Sequence, residues 1–267
     1  MSAPPFLEAS VIVAAHPDDE LLWFASILRH VERVVLVYED YWPDPRMGDA
    51  RRAALDAHPH PGVSSLGLSE AATYGCADWN RPVPTEYGMA LGHRTSLRNA
   101  KQAARRLLGR GSAPREGVQR RYRANFDAIV SRLRPMLRPG ANVFTHNPWG
   151  EYGHEDHVQL FRALDLLREE IGFTLWMSNY CTERTLPFAL TYFDERDHDW
   201  IALPTDRDYA EDVADVYRRA GCWTWSDTWN WFRTECFMEA PRAQVYAQNT
   251  ANLLPLNMFN IASVAKS

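Results

Sequence analysis

Val11-Ile12-Val13-Ala14-Ala15-His16-Pro17-Asp18-Asp19-Glu20 is the stretch that decides the fold. Its five apolar residues have no helical period and read as a strand buried on both faces of a parallel sheet. The run stops at a His-Pro-Asp-Asp-Glu turn, after which Leu21, Leu22, Phe24, Ala25, Ile27 and Leu28 recur at helical spacing. The three carboxylates sit where a helix N-terminus favours negative charge. Arg33-Val34-Val35-Leu36-Val37-Tyr38 is a second buried-strand pattern. Strand, helix and strand in this order open a βαβ unit and predict an α/β, Rossmann-like three-layer fold with a mostly parallel sheet.

Outward from there, residues 46–57 are predicted helical and 62–66 a weak third strand. Residues 74–94 are rich in Gly, Pro and aromatics and read as a long binding loop or lid. Residues 97–108 and 122–133 are predicted helices, separated by a basic piece (Arg110, Arg115, Arg120, Arg121) expected to be a solvated loop. A strand at 142–145 precedes Asn147-Pro148-Trp149-Gly150-Glu151-Tyr152-Gly153, and a helix is predicted from about 154 to 170. Strands are expected at 173–177 and 188–192, and an amphipathic helix at 209–219. No repeat or linker interrupts the chain, so one domain over 1–267 is expected, with 180–267 the part least readable.

Composition narrows the class. Of 267 residues, 46% are hydrophobic and 24% charged, the balance of an ordinary globular protein. The formal charge of −5 argues against a platform that lives on phosphate contacts. No apolar run reaches bilayer length, and the N-terminus lacks the basic start and apolar centre of an export signal. Cys76, Cys181, Cys222 and Cys236 are scattered, without a Cys-x-x-Cys pair. Reduced thiols in a cytoplasm are the expectation, with Cys222 and Cys236 inert in the core.

Ligands of open α/β sheets bind at the carboxyl ends of strands, and two strand ends here carry chemistry. A catalytic zinc takes three nitrogen or oxygen ligands and leaves a position open for water. His16 and Asp19 are three apart across one turn; His154 and His157 are three apart at a helix start and share a face. Two histidines and a carboxylate would complete the protein's share. Asp18 would then be free to accept a proton, and the remaining imidazole free to hydrogen-bond the group under attack. Such a set suits Zn²⁺ or Fe²⁺. Taken singly, the acids read as helix caps and the imidazoles as surface or turn residues. The glycines of a dinucleotide-binding turn are missing, which disfavours a dehydrogenase.

Ala15-His16-Pro17-Asp18-Asp19-Glu20 also resembles the AHPDDE signature of the LmbE-like, or PIG-L, metal-dependent deacetylases. Gly153-His154-Glu155-Asp156-His157 is similar to that family's second motif, with Glu155 where Pro is usual. The resemblance covers roughly the first 180 residues. It implies that His16, Asp19 and His157 hold zinc and that Asp18 is the general base. It implies further that His154 stabilises the tetrahedral intermediate and helps protonate the leaving amine, with Asp156 setting its charge and Tyr152 assisting at the oxyanion. Arg46 and Asp49 resemble an Arg-x-x-Glu pair that shapes the family's substrate pocket.

The implied reaction is removal of an N-acetyl group from an N-acetylglucosamine-type amino sugar or glycoside. Alternatives are a non-acetyl amide (a thiol conjugate or antibiotic precursor) and a non-catalytic sugar- or nucleotide-binding module. Asp18, which has no ligation duty, speaks against the last. Trp149, next to the second motif, is expected in a pocket wall and His146 near it, with His93 and His198 at the surface. Trp223, Trp225, Trp229 and Trp231 read as core packing or an interface between copies, with sugar stacking the lesser reading. His58-Pro59-His60 reads as a turn.

Overall fold

The computed structural model describes residues 5–40, 44, 46–92, 94–107, 117–193, 200–240 and 256–261. In chain order they form β1 (Ser10–Ala14), α1 (Asp19–Trp23), β2 (Arg33–Asp40), α2 (Arg46–Asp56) and β3 (Val63–Ser69). A small hairpin, β4 (Pro84–Thr85) and β5 (Gly88–Met89), comes before α3 (Arg94–Leu107) and α4 (Val118–Leu133). Then follow β6 (Asn142–Thr145), α5 (Glu155–Ile171), β7 (Thr174–Ser178), β8 (Tyr180–Cys181) and α6 (Leu186–Ala189). The described chain closes with β9 (Trp200–Pro204), α7 (Arg207–Ala220), β10 (Thr234–Glu239) and β11 (Asn257–Met258).

A seven-stranded sheet runs β3-β2-β1-β6-β7-β10-β9. The pairs from β3 through β7 are parallel, and β10 is antiparallel to both β7 and β9. Side chains alternate across a pleated strand, so β1 feeds two cores at once. Val11 and Val13 pack with Ile129 and Leu133 of α4 and Leu160 and Leu164 of α5. Ile12 and Ala14 pack on the other face with Ala54 of α2 and Val213 and Tyr217 of α7. Helices on both faces of a mostly parallel sheet make the three-layer, Rossmann-like α/β fold.

Three local expectations change. The helix after the first motif is only five residues long and ends at Phe24, whose φ of −137° is not helical. Leu21 through Leu28 are buried nearly all round, with no polar face to leave in solvent. The N–H groups of Ala25 and Ser26 donate to the Glu235 carboxylate (3.3 and 2.7 Å) instead of continuing the helix. Residues 188–192, expected as a strand, form α6 and a 3₁₀ turn. Pro187 stands in the first turn of α6, where a missing N–H costs nothing.

The long 74–94 segment is not wholly irregular. It carries the β4–β5 hairpin and an Ala77–Leu91 bridge. The Glu155 carboxylate accepts the N–H groups of Gly75 and Ala77 (3.0 and 2.7 Å), tying this segment to the start of α5. Toward the C-terminus, β11 pairs in parallel with β8. His93, His198, Arg110 and Arg115 lie outside the described residues; Arg120 is exposed, while Arg121 donates to the carbonyls of Glu70 and Ala71. Among the described residues, no helix is long and apolar enough to cross a membrane.

Candidate active site

From β1 the chain turns back through β2 and β3 on one side, while β6 continues to β7 on the other. The carboxyl ends of β1 and β6 therefore flank the point where strand order reverses, and the two motifs leave from those ends. The turn from β6 into α5 needs Gly150: at φ 64°, an added Cβ would lie 2.6 Å from the His154 carbonyl oxygen. That tight turn delivers His154 as the N-cap of α5 and His157 one turn later.

The imidazoles and Asp19 converge. Asp19 Oδ2 accepts the His16 N–H at 2.8 Å and lies 3.1 Å from His16 Nδ1 and 3.3 Å from His157 Nε2. The Trp23 indole donates to Asp19 Oδ1 at 2.8 Å. Ligand atoms of His16, His154 and His157 lie within 4.8 Å of one another, as do those of Asp19, His146 and His157. His16 Nε2 and His157 Nε2 are buried without a hydrogen-bond partner. Two orphaned ring nitrogens beside a carboxylate are what a cation would satisfy, so these donors fit one divalent metal. Burial opposes charge on His16, yet Asp156, Asp19 and Glu70 outweigh it and raise its pKa to about 10. The site asks for positive charge. Burial likewise opposes ionisation of Asp19, but His157 and His146 hold it well below the usual carboxylate range.

Asp18 is the N-cap of α1 at φ 105°, a left-handed conformation that Asp tolerates better than most residues. Its N–H donates to Glu20 Oε2 (3.0 Å), and its Oδ2 accepts the Thr224 hydroxyl (2.5 Å). Burial, and then Asp19, push its pKa up to about 7, against the pull of Arg51 and Thr224. His154 Nδ1 accepts the Asp156 N–H at 3.2 Å, which leaves the ring proton on Nε2. Burial and the neighbouring His157 and His16 rings hold its pKa well below the ordinary value, so it is neutral. Tyr74 stacks on it with ring centres 4.9 Å apart. Burial and Asp19 keep the Tyr152 phenol protonated well above its usual range.

His16, Asp18, Asp19, Tyr74, Tyr152, His154 and Thr224 line a cavity of about 240 Å³, whose wall also includes Arg51, Glu70, Arg98 and Trp225. Several expected residues are placed elsewhere. The Arg46 side chain is 90% exposed and pairs with Asp44, and exposed Asp49 pairs with Arg52. Arg51, on another face of α2, reaches the cavity and donates to Glu70 Oε1 at 3.3 Å. Trp149 is wholly buried in the core and donates to the Tyr180 carbonyl at 2.8 Å, so it is no pocket wall. Asp156 accepts the Thr73 hydroxyl (2.7 Å) and faces His16 Nε2 at 3.6 Å; only its backbone N–H meets the His154 ring. His146 lies behind the site, where its Nε2 accepts the Ala15 N–H at 2.9 Å.

Glu70 and Thr224 carry no warning in the sequence; they come from the end of β3 and from the segment after α7, which also brings Trp225, read from the sequence as core packing, to the cavity wall. Trp225 packs edge-on against Trp23 (5.5 Å), and Trp223, Trp229 and Trp231 are buried in the same core. His58 is a turn residue whose Nε2 lies 3.4 Å from Glu20 Oε1. Glu151 is fully buried at φ 48°; its Oε2 lies 2.6 Å from His157 Nδ1 and 3.1 Å from His146 Nδ1. Burial opposes its charge, but His146 and His157 hold its pKa at about 2.

No protein-family model matches the chain, and no curated protein matches it significantly. Among solved structures, one similar to it is the antimicrobial reagent A40926 pseudoaglycone deacetylase Dbv21. It shares 14% identity over 88% of this chain and 97% of that chain, with a TM-score of 0.47. A deacetylase–bog complex from the teicoplanin biosynthesis pathway shares 14% identity over 87% and 98%, also at 0.47. Likeness at this level says nothing about what this chain cleaves.

Proposed function

We propose that the chain is a metal-dependent N-deacetylase of the LmbE-like kind, hydrolysing the acetamide of an amino sugar or glycoside to acetate and a free amine. The observation that carries the reading is the convergence of the two motifs on one cavity. His16, Asp18, Asp19 and His154 line it, and just behind, the buried His157 Nε2 lies 3.3 Å from Asp19 Oδ2. His16, Asp19 and His157 would hold the cation. When bound, a divalent metal polarises an acyl oxygen and lowers the pKa of water to about 7.

The chain's own groups supply the rest. Asp18, unclaimed by the ligand set, accepts the proton of the attacking water. As the acetamide carbon becomes tetrahedral, neutral His154 donates its Nε2–H to the developing oxyanion, and the Tyr152 phenol is a second donor. Donors of this kind are each worth about 3 kcal/mol. On collapse the C–N bond breaks, and the proton held by Asp18 passes to the leaving nitrogen. Trp225, packed edge-on against Trp23, gives the cavity an apolar wall.

The test is acetate release from a panel of N-acetylated sugars and glycosides, with Zn²⁺ or Fe²⁺ restored to chelated protein. Asp18→Asn is the variant of choice, because Asn also accepts a left-handed backbone. Release that needs metal and falls about 10²- to 10⁴-fold in Asp18→Asn supports the reading. A protein that binds metal stoichiometrically and releases an amine without acetate would be an amidase on another acyl group. A protein that binds no divalent metal would sink the hydrolase.

A further inference from the structure

Glu151 sits where a carboxylate is costly. It is fully buried, and it holds a positive φ of 48° in the β6–α5 turn. Its surroundings over-determine it. Oε1 accepts the Ser178 hydroxyl (2.5 Å) and the Asn147 N–H (3.2 Å). Its own N–H donates to Asn147 Oδ1 (2.9 Å), and its carbonyl accepts the Thr185 hydroxyl (2.7 Å). What remains is Oε2, which faces the Nδ1 atoms of His157 and His146 at 2.6 and 3.1 Å.

The two rings are stacked, with centres 3.8 Å apart, but their far nitrogens differ. An ionised carboxylate only accepts, so each ring places its proton on Nδ1 and a lone pair on Nε2. The His146 lone pair, itself 3.4 Å from Asp19 Oδ2, is taken by the Ala15 N–H at 2.9 Å. The His157 lone pair is buried, has no hydrogen-bond partner, and points toward Asp19 Oδ2 at 3.3 Å. One oxygen thus orients one ring toward the candidate metal and locks the other onto the backbone just before His16.

We propose that Glu151 is the positioning residue of this site: it fixes the tautomer and orientation of His157 directly. Through His146 it also sets the spacing between the β1 and β6 ends that bring His16 and His157 together. His146 is then a spacer and not a ligand, because its free nitrogen is already used. The assignment rests on the metal-site reading above. Carboxylates behind ligating histidines typically change metal affinity 10- to 100-fold.

The experiment compares Zn²⁺ affinity, by competition with a chromophoric chelator, and the visible spectrum of the Co²⁺ form for wild type, Glu151→Gln and Glu235→Gln. Glu235 is the control: a buried carboxylate bonded to Ala25, Ser26 and Tyr180, away from the ligands. Glu151→Gln is expected to weaken Zn²⁺ binding about 10- to 100-fold and shift the Co²⁺ bands, while Glu235→Gln leaves both unchanged. Should Glu151→Gln fail to fold, ¹⁵N spectra of the metal-free wild type decide instead, with Nδ1–H tautomers expected for His146 and His157. Unchanged affinity and bands in a folded Glu151→Gln, or an Nε2–H tautomer at His157, overturns the positioning role. A wild type without Zn²⁺ affinity would overturn the metal reading itself.

Discussion

The Thr224 hydroxyl donates to Asp18 Oδ2 at 2.5 Å across a separation of 206 residues. A side chain from the segment between α7 and β10 therefore holds the proposed base in place. Burial and Asp19 raise the Asp18 pKa, while Arg51 and Thr224 lower it. Thr224→Val removes one of the lowering influences, so less Asp18 is ionised at a given pH. The acid limb of the kcat/KM profile is expected to move to higher pH, with the high-pH plateau reduced less. An unmoved limb would show that Thr224 does not act on the base.

Trp149 and Trp225 separate packing from the pocket. Trp149→Ala is expected to cost about 3–5 kcal/mol of stability, because the ring is fully buried and its N–H is hydrogen-bonded. Trp149→Phe, read at a temperature where it stays folded, should leave KM where it was. Trp225→Leu alters the cavity wall and should raise KM. Thermal melts and steady-state kinetics on the three variants check both halves.

Arg46 and Arg51 are expected to behave oppositely although they share α2. Arg46→Ala removes an exposed pair and should leave the urea midpoint where it was. Arg51→Met leaves the buried Glu70 carboxylate without its guanidinium, a loss on the order of 3–5 kcal/mol. Urea midpoints measure the difference directly.

All four cysteines are free and buried. Burial pushes the Cys181 and Cys222 thiols from an ordinary value of 9.0 up to about 11. The fold thus favours the neutral thiol. Its contribution is whole below pH 9 and is lost as pH rises toward 11, where the unfolded thiols have already ionised. At pH 8 a thiol reagent should label the native protein slowly and all four cysteines only in denaturant. The urea midpoint should fall between pH 9 and 11, and a Cys181→Ala, Cys222→Ala variant should lose part of that fall.

Tertiary context also explains where local pattern misleads. Residues five apart on a helix are separated by about 140° of rotation, so Arg46 and Arg51 cannot face the same way. The face of α2 that meets the cavity is set by its packing against α7 and β2, not by a clear apolar stripe of its own. Trp149 adjoins the second motif in sequence, yet its side chain turns inward to Tyr180, because the Asn147–Gly153 turn reverses direction within a few residues.

By itself, the sequence determined the α/β layering and the two chemical strand ends. A strand buried on both faces needs a continuous apolar run, and Val11–Ala15 and Asn142–Thr145 supply their signals locally, as do the spaced residues His16, Asp18, Asp19, His154 and His157. Only the tertiary structure decided that Thr224, Glu70, Arg51 and Trp225 enclose those residues, and that Glu151 and His146 stand behind them. Those contacts join segments up to 206 residues apart, and their geometry follows from how sheet and helices close on one another. Spacing along a chain records which groups can meet within one turn. It holds no measure of the distance between two strand ends until the sheet has formed.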